Sequence, residues 1–278
     1  MTSLPAVISL QGVGFTYPEG ERPALENVTF DVHQGEWVAL VGGNGSGKST
    51  LARLLNALLL PTQGVVCVAG IPTTDESRVW DVRRTLSMVF QNPENQIVSS
   101  IVEDDVAFGP ENLGLPQAEI RHRVDSALEV VGLKELANRE VHTLSGGQKQ
   151  RLAIGGALAM GGQCMVLDEP TAMLDPQGRE EVMHLLAQLK KRGHTLVHIT
   201  HHMDEIEQAD RVILLHQGQK VWEGTPAELL ARDDLESAFG LYKTELRTTR
   251  DQLQAAGLLD KSVPVDAKEM AAALCQLK

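Results

Sequence analysis

The hydrophobic pattern of this chain alternates short apolar runs with longer stretches in which apolar residues recur every three or four positions. EWVALVG at residues 36–42 predicts a buried strand leading into glycines, and the leucines of STLARLLNALLL predict a helix that Pro61 ends. Three further apolar runs predict strands followed by polar residues: TLSMVFQNP (85–93), CMVLDEP (164–170) and TLVHITH (195–201). Alternating strands and helices are typical of an α/β fold, in which the carboxyl ends of parallel strands line the binding site.

Other segments depart from this alternation. AVISLQGVGFTYPEG and LENVTFDVHQGE predict an antiparallel β layer beside the main sheet. From residue 95 to residue 139, helices broken by GPENLGLP predict an inserted helical subdomain, which we place at about 95–150. RVILLHQGQKVWEGTP predicts a strand–turn–strand with its turn at Gln217 and Gly218. We therefore expect a main domain over residues 1–242 and a small C-terminal helical domain over 243–278, ending in DAKEMAAALCQL.

Composition narrows the classes of function. With 278 residues, 42% of them hydrophobic, the chain can bury one large core. A net charge of −12 argues against direct binding of nucleic acid or an anionic membrane surface. The N-terminus lacks signal-peptide features and no run of about 18 apolar residues occurs, so a membrane role needs a partner. Cys67, Cys164 and Cys275 are few, far apart and odd in number, so they indicate neither a disulfide framework nor a zinc-finger spacing, which fits a reducing cytoplasm. Cys164 is expected in a buried strand.

The segment GGNGSGKS at residues 42–49 satisfies the phosphate-loop pattern and lies between a predicted strand and a predicted helix. Gly45 and Gly47 let backbone N–H groups turn toward a polyphosphate, and the helix N-terminus adds partial positive charge. Lys48 can reach the β and γ phosphates, and Ser49 can ligate Mg²⁺. A glycine turn that matches by chance is expected in roughly one such chain in a hundred.

CMVLDEP supplies a second candidate element. Asp168 at the strand end can hold Mg²⁺, and Glu169 is placed to orient or deprotonate water. Alone, an acidic pair after an apolar strand is more often a helix cap or a solvated turn. The phosphate loop upstream favours the catalytic interpretation.

LSGGQKQR at residues 144–151 resembles the signature of ATP-binding-cassette ATPases, and the resemblance covers nearly all of the first 240 residues in the family's order. It implies a P-loop NTPase fold: a parallel-sheet core with an antiparallel β layer, an inserted helical subdomain and a small C-terminal domain. It implies that Asp168 and Glu169 are Walker B, Gln91 is the Q-loop, and His201 is the switch histidine. The other implied ATP-binding residues are Tyr17 on adenine, Gly42, Gly43, Asn44, Gly45, Ser46, Gly47, Lys48, Ser49 and Thr50 of Walker A, and Ser145, Gly146, Gly147 and Gln148 of the signature.

The signature also makes physical sense by itself. Ser145, Gly146 and Gly147 place a hydroxyl and backbone amides at a helix start, which is a second anion-binding arrangement in one chain. In the resembled family this helix start holds the γ-phosphate of ATP bound by the other subunit, so two chains enclose two MgATP molecules. Such a closed two-fold pair couples ATP binding to subunit closure.

QNPENQ (91–96) and DDVAFGPENLGL (104–115) resemble ATPase subunits of energy-coupling-factor importers, which take up vitamins and transition-metal ions. DEPTAMLDPQGR, with Met173 before the D-loop residues Leu174 and Asp175, resembles the first of two paralogues. The resemblance implies a peripheral ATPase at the cytoplasmic membrane face, paired with itself or a paralogue. It further implies a transmembrane coupling subunit that docks on the helical subdomain, a separate substrate-binding membrane subunit, no nucleic acid, and a C-terminal dimer contact.

This resemblance assigns the chemistry. Lys48, Ser49 and Asp168 hold nucleotide and metal, Glu169 is the general base, and Gln91 links the γ-phosphate and metal to the helical subdomain. A soluble cassette ATPase acting on nucleic acid or ribosomes is the alternative, but no coiled-coil insertion, second cassette or basic arm is present. A P-loop kinase would leave LSGGQ unexplained.

ITHHMDEIEQAD at residues 199–210 places two adjacent histidines beside Asp204 and Glu205, four side chains that together suggest a transition-metal site. Neither a His-x-x-x-His spacing nor a cysteine partner supports that interpretation. We expect His201 to contact the γ-phosphate, the His202 side chain to point away from that of His201, and Asp204 and Glu205 to serve local structure.

Three further expectations concern an acidic run, the tryptophans and one glycine of the phosphate loop. VEDD (102–105) is expected to be a solvated helix start. Trp37, Trp80 and Trp222 are too dispersed for an aromatic cage and are expected to serve packing. Gly43, where relatives often have proline, is expected to loosen the loop.

Overall fold

The computed structural model describes residues 6–242, 244–260, 263 and 267–275. Its strands are β1 (Ala6–Phe15), β2 (Leu25–His33), β3 (Trp37–Val41), β4 (Gln63–Val68), β5 (Ile71–Pro72), β6 (Leu86–Val89), β7 (Cys164–Asp168), β8 (Thr195–Thr200), β9 (Arg211–His216) and β10 (Gln219–Gly224). Its helices are α1 (Lys48–Leu55), α2 (Val79–Thr85), α3 (Val102–Asn112), α4 (Gln117–Val130), α5 (Gly146–Ala159), α6 (Pro176–Lys191), α7 (Pro226–Leu230), α8 (Leu235–Phe239), α9 (Glu245–Ala255) and α10 (Ala267–Cys275).

The strands of the described residues form two sheets. The larger has the order β10-β9-β3-β8-β7-β6 and is parallel except where β10 pairs with β9. The smaller, β2-β1-β4-β5, is antiparallel. The predicted parallel core and flanking antiparallel layer are therefore confirmed.

The central strands are apolar throughout because both faces of the parallel sheet are covered. Every residue of β3 is buried, and alternate side chains enter different clusters. Trp37, Ala39 and Val41 pack with the helices around α5 and α6, whereas Val38 and Leu40 pack with α1 and the antiparallel layer. Parallel register then brings the strand ends together, since Val41 pairs with Thr200 and Asp168 pairs with Ile199.

Helix α1 is shorter than the leucine pattern predicts. It ends at Leu55, and Ala57 has a positive φ of 52°. The buried Asn56 amide donates to the Leu86 carbonyl oxygen at 2.7 Å, which fixes the chain turn against β6. The prediction of a helix as far as Pro61 is wrong, and the exposed Leu58 and Leu60 lie beyond it.

The helical region contains α3, α4 and α5, but its break comes later than predicted. Helix α3 runs through Gly109 and Pro110 to Asn112. A Cβ at Gly109 would lie 2.5 Å from Met160 Sδ, so glycine permits the close approach of α3 to the end of α5. The predicted solvated start is also wrong for Asp105, which is buried and accepts hydrogen bonds from the N–H groups of Val98 and Ser99.

The C-terminal part is helical, as predicted. The turn between β9 and β10 has positive φ at Gln217 and Gly218, which confirms its predicted place. Helix α9 is attached to the main domain by the buried Arg247, which donates to Asp233 and to the Ala231 carbonyl oxygen. The predicted boundary at Lys243 and parts of DAKEMAAALCQL lie outside the described residues, so this domain division stays a prediction.

The tryptophans and cysteines divide by environment. Trp37 is buried and Trp222 packs against the core, as expected. Trp80 is 67% exposed beneath the Arg83 guanidinium, so the packing prediction is wrong for it. Cys164 is buried as expected, and burial raises the pKa of its thiol to about 12. Within the described part of the chain, no helix is long and apolar enough to cross a membrane.

Candidate active site

The phosphate loop connects β3 to α1 and needs glycine for two reasons. Gly45 and Gly47 have φ values of 76° and 102°, a region that glycine adopts readily, which confirms the predicted turning of the loop. At Gly42 a Cβ would lie 2.3 Å from the Leu215 carbonyl oxygen, so packing against β9 excludes a side chain. Ser46 is buried within the loop, and its N–H donates to the Gly43 carbonyl oxygen.

Lys48 lies at the first position of α1, and its ammonium group is folded back over the loop. Nζ donates to the carbonyl oxygens of Gly42 and Gly43 at 2.8 and 3.1 Å, and it lies 3.8 Å from Glu169 Oε1. Burial lowers the pKa of Lys48, and the neighbouring Glu169 and Asp168 oppose that change. A cation is thus held at the centre of the loop.

Ser49 and Asp168 meet where α1 faces the end of β7. The Ser49 hydroxyl donates to Asp168 Oδ1 at 3.1 Å. Burial raises the pKa of Asp168, and the Ser49 hydrogen bond opposes the rise. A hydroxyl and a carboxylate are hard oxygen donors of the kind that Mg²⁺ takes together with substrate phosphates, so these residues fit that ion.

Glu169 follows β7 in a conformation that is uncommon for residues other than glycine, with φ at 49°. Its N–H donates to the Ile199 carbonyl oxygen at 3.0 Å. Its carboxylate accepts from Gln91 Nε2 at 3.2 Å and lies 3.2 Å from His201 Nδ1. Gln91, Glu169 and His201 therefore converge at the sheet edge, although they are far apart in the sequence.

The histidine pair differs from the prediction. The rings of His201 and His202 lie 4.2 Å apart at an interplanar angle of 36°, so the expectation that His202 points away is wrong. The alternation of a strand no longer applies, because β8 ends at Thr200 and the His202 N–H turns back to the Thr200 hydroxyl. Burial lowers the pKa of His202. No cluster of three metal-ligating side chains occurs among the residues that the structure describes, so the histidine cluster gains no support as a metal site.

Tyr17 lies just beyond β1 and beside the phosphate loop. Its hydroxyl is 3.1 Å from the Thr50 hydroxyl, and its ring packs edge-on against Phe15. The ring is 38% exposed and faces a cleft of about 470 Å³. The residues that line this cleft are Tyr17, Ala24, Asn44, Gly45, Ser46, Gly47, Lys48, Ser49, Thr50, Gln91 and Glu169.

The signature residues lie apart from this cleft. Ser145 caps α5, where its hydroxyl accepts the Gln148 N–H and the Gln148 side chain accepts the Ser145 N–H. Gly146 and Gly147 are the first residues of that helix, and Ser145 and Gly146 are exposed. Met173, in the loop before Asp175, is also exposed at 63%. The structure thus brings the phosphate-loop, Walker B, Gln91 and His201 residues together but leaves the signature available to another molecule.

Two features of the site escaped sequence reasoning. A Cβ at Gly43 would lie 2.8 Å from the Phe239 carbonyl oxygen, so glycine here lets the end of α8 rest on the phosphate loop. Glu205 is buried and accepts from Thr171 and Thr200, two residues close in sequence to Glu169 and His201. Glycine at position 43, where relatives often have proline, was the sequence signal for the first contact. No sequence pattern distinguished Glu205 from its acidic neighbours.

The fold and the cleft define an α/β phosphate-loop nucleotide-binding cassette. A model of the ABC transporter family matches residues 25–172. The chain is 49% identical to the energy-coupling factor transporter ATP-binding protein EcfA1 of Clostridium perfringens over 259 residues, 93% of this chain and 92% of the relative. The chain belongs to the ABC transporter family.

Solved structures agree with this assignment. One is cbiO1 from Clostridium perfringens, part of the ABC transporter complex cbiONQ, with a TM-score of 0.78 and 35% identity over 91% of this chain and 97% of that chain. Another is a dimeric post-hydrolysis state of the ATP-binding cassette MJ0796 with ADP and Pi. Its TM-score is 0.70 at 33% identity, over 79% of this chain and 98% of that chain.

Proposed function

We propose that this chain is the ATP-hydrolysing subunit of an energy-coupling factor importer that takes up a vitamin or a transition-metal ion. The main observation in support is that Glu169 Oε1 lies 3.8 Å from Lys48 Nζ and 3.2 Å from His201 Nδ1 at one sheet edge. The similarity to EcfA1 over nearly the whole chain supports the transport assignment.

Within the cleft, the loop N–H groups and Lys48 bind the phosphates of ATP, and Tyr17 packs on the adenine. Ser49 and Asp168 hold Mg²⁺, which neutralises charge on the phosphate oxygens when bound. Glu169 accepts a proton from the attacking water, because its carboxylate is already aimed into the cleft by Gln91 and His201. His201 contacts the γ-phosphate, and Gln91 carries the state of the site to the helical subdomain.

We also propose that the exposed signature helix start serves ATP on a second cassette, either a copy of this chain or a paralogue. Ser145 and Gly146 are exposed at the N-terminus of α5, and the Ser145 hydroxyl, which accepts the Gln148 N–H, keeps its own hydrogen to donate. The dimeric cassette MJ0796 is a solved precedent for such pairing. Residues 243–278, with α9 and α10, would add a further dimer contact.

An apolar groove of about 330 Å³ on the helical side is the proposed seat of a coupling segment from a transmembrane subunit. Leu58, Trp80, Val98 and Phe108 line it, and each is at least 44% exposed, which is unusual for large apolar side chains on one face. A membrane partner of this kind would hold the chain at the cytoplasmic membrane face, and a separate membrane subunit would select the cargo.

Purification of the tagged chain from native membranes tests this proposal against the soluble alternative. The importer assignment predicts a stoichiometric complex with integral membrane proteins whose identity also gives the cargo class. A soluble ATPase acting on nucleic acid or ribosomes predicts no such complex, and its recovery free of membrane protein would contradict the assignment.

A further inference from the structure

Glu205 is a buried carboxylate in the turn that follows β8. Only 3% of it is exposed, and both oxygens have partners. Oε1 accepts from the Thr171 hydroxyl at 2.6 Å, and Oε2 accepts from the Thr200 hydroxyl at 2.7 Å. The carboxylate therefore joins two chain segments that lie side by side but are separate in sequence.

The positions of the two threonines give this contact its importance. Thr171 is two residues beyond Glu169, in the turn where the Leu174 N–H donates to the Thr171 carbonyl oxygen. Thr200 directly precedes His201. Both threonines are 1% exposed, so water does not compete for their hydroxyl groups.

The surroundings keep Glu205 ionised. Its burial acts to raise the pKa, but interactions with His198, Thr171 and Thr200 outweigh burial and lower the pKa to about 2. His198 Nε2 lies 3.4 Å from Oε2, and Arg179 Nε on α6 lies 3.7 Å from Oε1. An ionised carboxylate only accepts hydrogen bonds, so both threonine hydroxyls must donate to it.

The direction of these hydrogen bonds fixes the turn at His201. The Thr200 hydroxyl donates its proton to Glu205 and uses a lone pair to accept the His202 N–H at 3.0 Å. Through Thr200, the segment that carries His201 is thereby held to Oε2 of Glu205. Through Thr171, the turn that carries Glu169 is held to Oε1 of the same carboxylate.

We infer that Glu205 is a positioning residue that sets the distance between the general base Glu169 and the switch residue His201. It does so through Thr171 and Thr200, without itself contacting the nucleotide. The inference rests on the roles proposed above for Glu169 and His201. It assigns to the second acid of the His-His-Met-Asp-Glu segment a part in turnover that is separate from metal binding.

The test removes each hydroxyl without changing the size of the side chain. Thr171→Val and Thr200→Val, measured in the ATPase assembled with its partner subunits, are each expected to lower kcat by about tenfold to a hundredfold, because displacement of reacting groups by about 1 Å has effects of that order. The KM for ATP is expected to change little, since neither residue lines the cleft. Thr171→Ser and Thr200→Ser keep the hydroxyl group and are expected to have a kcat close to that of the parent.

Thr195→Val is the matched control. Thr195 lies at the opposite end of β8, is fully buried, and accepts the Gly35 N–H on its hydroxyl at 2.9 Å. The same substitution there is expected to lower thermal stability but leave kcat unchanged. If Thr200→Val lowers stability like Thr195→Val and also leaves kcat unchanged, Glu205 has only a structural role and the inference is overturned.

A double-mutant cycle and a parallel variant complete the test. Glu205→Ala combined with Thr200→Val is expected to lose little more kcat than Glu205→Ala alone, because both remove the same link. Fully additive losses would contradict the link. Glu169→Gln is assayed beside these variants. If Glu169→Gln retains turnover, the proposed base is wrong. If Glu169→Gln loses turnover but Thr200→Val keeps the parental kcat, only the positioning role is refuted.

Discussion

At the scale of single residues, Glu169 holds a left-handed backbone conformation that costs an estimated 1–3 kcal/mol in a non-glycine residue. Its N–H contact with Ile199 and its side-chain contacts with Gln91 and His201 maintain it. Strain of this kind is concentrated at functional sites, where the surrounding structure fixes a side chain in the geometry that reaction needs.

His201 and His202 form a natural pair for a test at this scale. His201→Ala is expected to reduce ATP hydrolysis by at least about tenfold while ATP binding stays nearly unchanged, because the imidazole next to Glu169 is proposed to contact the γ-phosphate during turnover. Steady-state hydrolysis and equilibrium ATP binding measure the two effects.

His202→Ala is the control, since the His202 ring packs on its neighbour and takes no assigned part in the reaction. An equal loss of hydrolysis in both variants would contradict the separate roles.

Sequence reasoning named most of the residues that the structure brings together at the candidate site, because local rules suffice for them. The phosphate loop needs glycine at defined positions, and the Asp168–Glu169 pair follows an apolar strand, so both are visible in the sequence. Glu205 was not distinguished because its importance depends on Thr171, which lies 34 residues earlier in the chain. The His202 orientation was wrong because the strand ended one residue sooner than its pattern.

At the scale of elements, packing decides where helices start and stop. The leucine pattern after Ser49 continues to Leu60, but a buried hydrogen bond from Asn56 to β6 ends α1 at Leu55. Beyond this end, Leu58 lines the exposed groove, whereas Leu59 packs against the core. Periodicity gives the existence of an element, and the tertiary contact sets its length.

Asp105 in α3 tests a buried acceptor. Asp105→Ala is expected to destabilise the fold by about 1–3 kcal/mol, because the N–H groups of Val98 and Ser99 lose their acceptor. Asp105→Asn keeps an acceptor oxygen and removes a charge whose burial raises the pKa, so its stability is expected to equal or exceed that of the parent.

The same raised pKa gives a pH dependence with a defined sign. The folded state binds the Asp105 proton more tightly than the unfolded state, so the contribution of this group favours folding at low pH and declines as pH rises through the unfolded and then the folded pKa. Denaturant titration at several acidic pH values should show that the free energy of unfolding declines less with rising pH in Asp105→Asn than in the parent. An equal pH dependence of the unfolding free energy in both proteins would contradict this.

Gly43 tests the contact between the phosphate loop and α8. Gly43→Ala places a Cβ 2.8 Å from the Phe239 carbonyl oxygen, so we expect a stability loss of about 1–3 kcal/mol and weaker ATP binding as the loop shifts. Thermal unfolding and nucleotide titration measure these changes.

Gly156→Ala on α5 is the matched control, because a Cβ there meets no atom within 4 Å and alanine favours a helix. We expect it to be neutral or stabilising. If Gly43→Ala keeps the parental stability and ATP affinity, the Phe239 contact does not constrain the loop.

At the scale of the whole molecule, the proposed functional surfaces are built from different residues. The nucleotide cleft, the signature helix start and the groove near Trp80 do not overlap in their lining residues. This separation suits a subunit that binds ATP, pairs with another cassette and moves a membrane partner. The overall architecture followed from the sequence because strand order and connection rules limit an α/β chain to few arrangements.

Trp80 tests the groove that we propose as the docking site of a transmembrane subunit. Trp80→Ala is expected to weaken co-purification with the transmembrane subunit by about tenfold while leaving stability nearly unchanged, since a largely exposed aromatic side chain contributes mainly to binding. Tyr242→Ala, which removes another exposed aromatic ring outside the groove, is the control. Equal recovery of the complex in both variants would exclude the groove as the docking site.

We propose that Glu169 activates water at a nucleotide held by the phosphate loop. The most direct measurement is ATP turnover by Glu169→Gln in the assembled complex, with Glu181→Gln on α6 as the control. We predict a loss of turnover of about a hundredfold or more with ATP binding retained, and parental turnover in the control. Turnover near the parental rate in Glu169→Gln would contradict the assignment of the base.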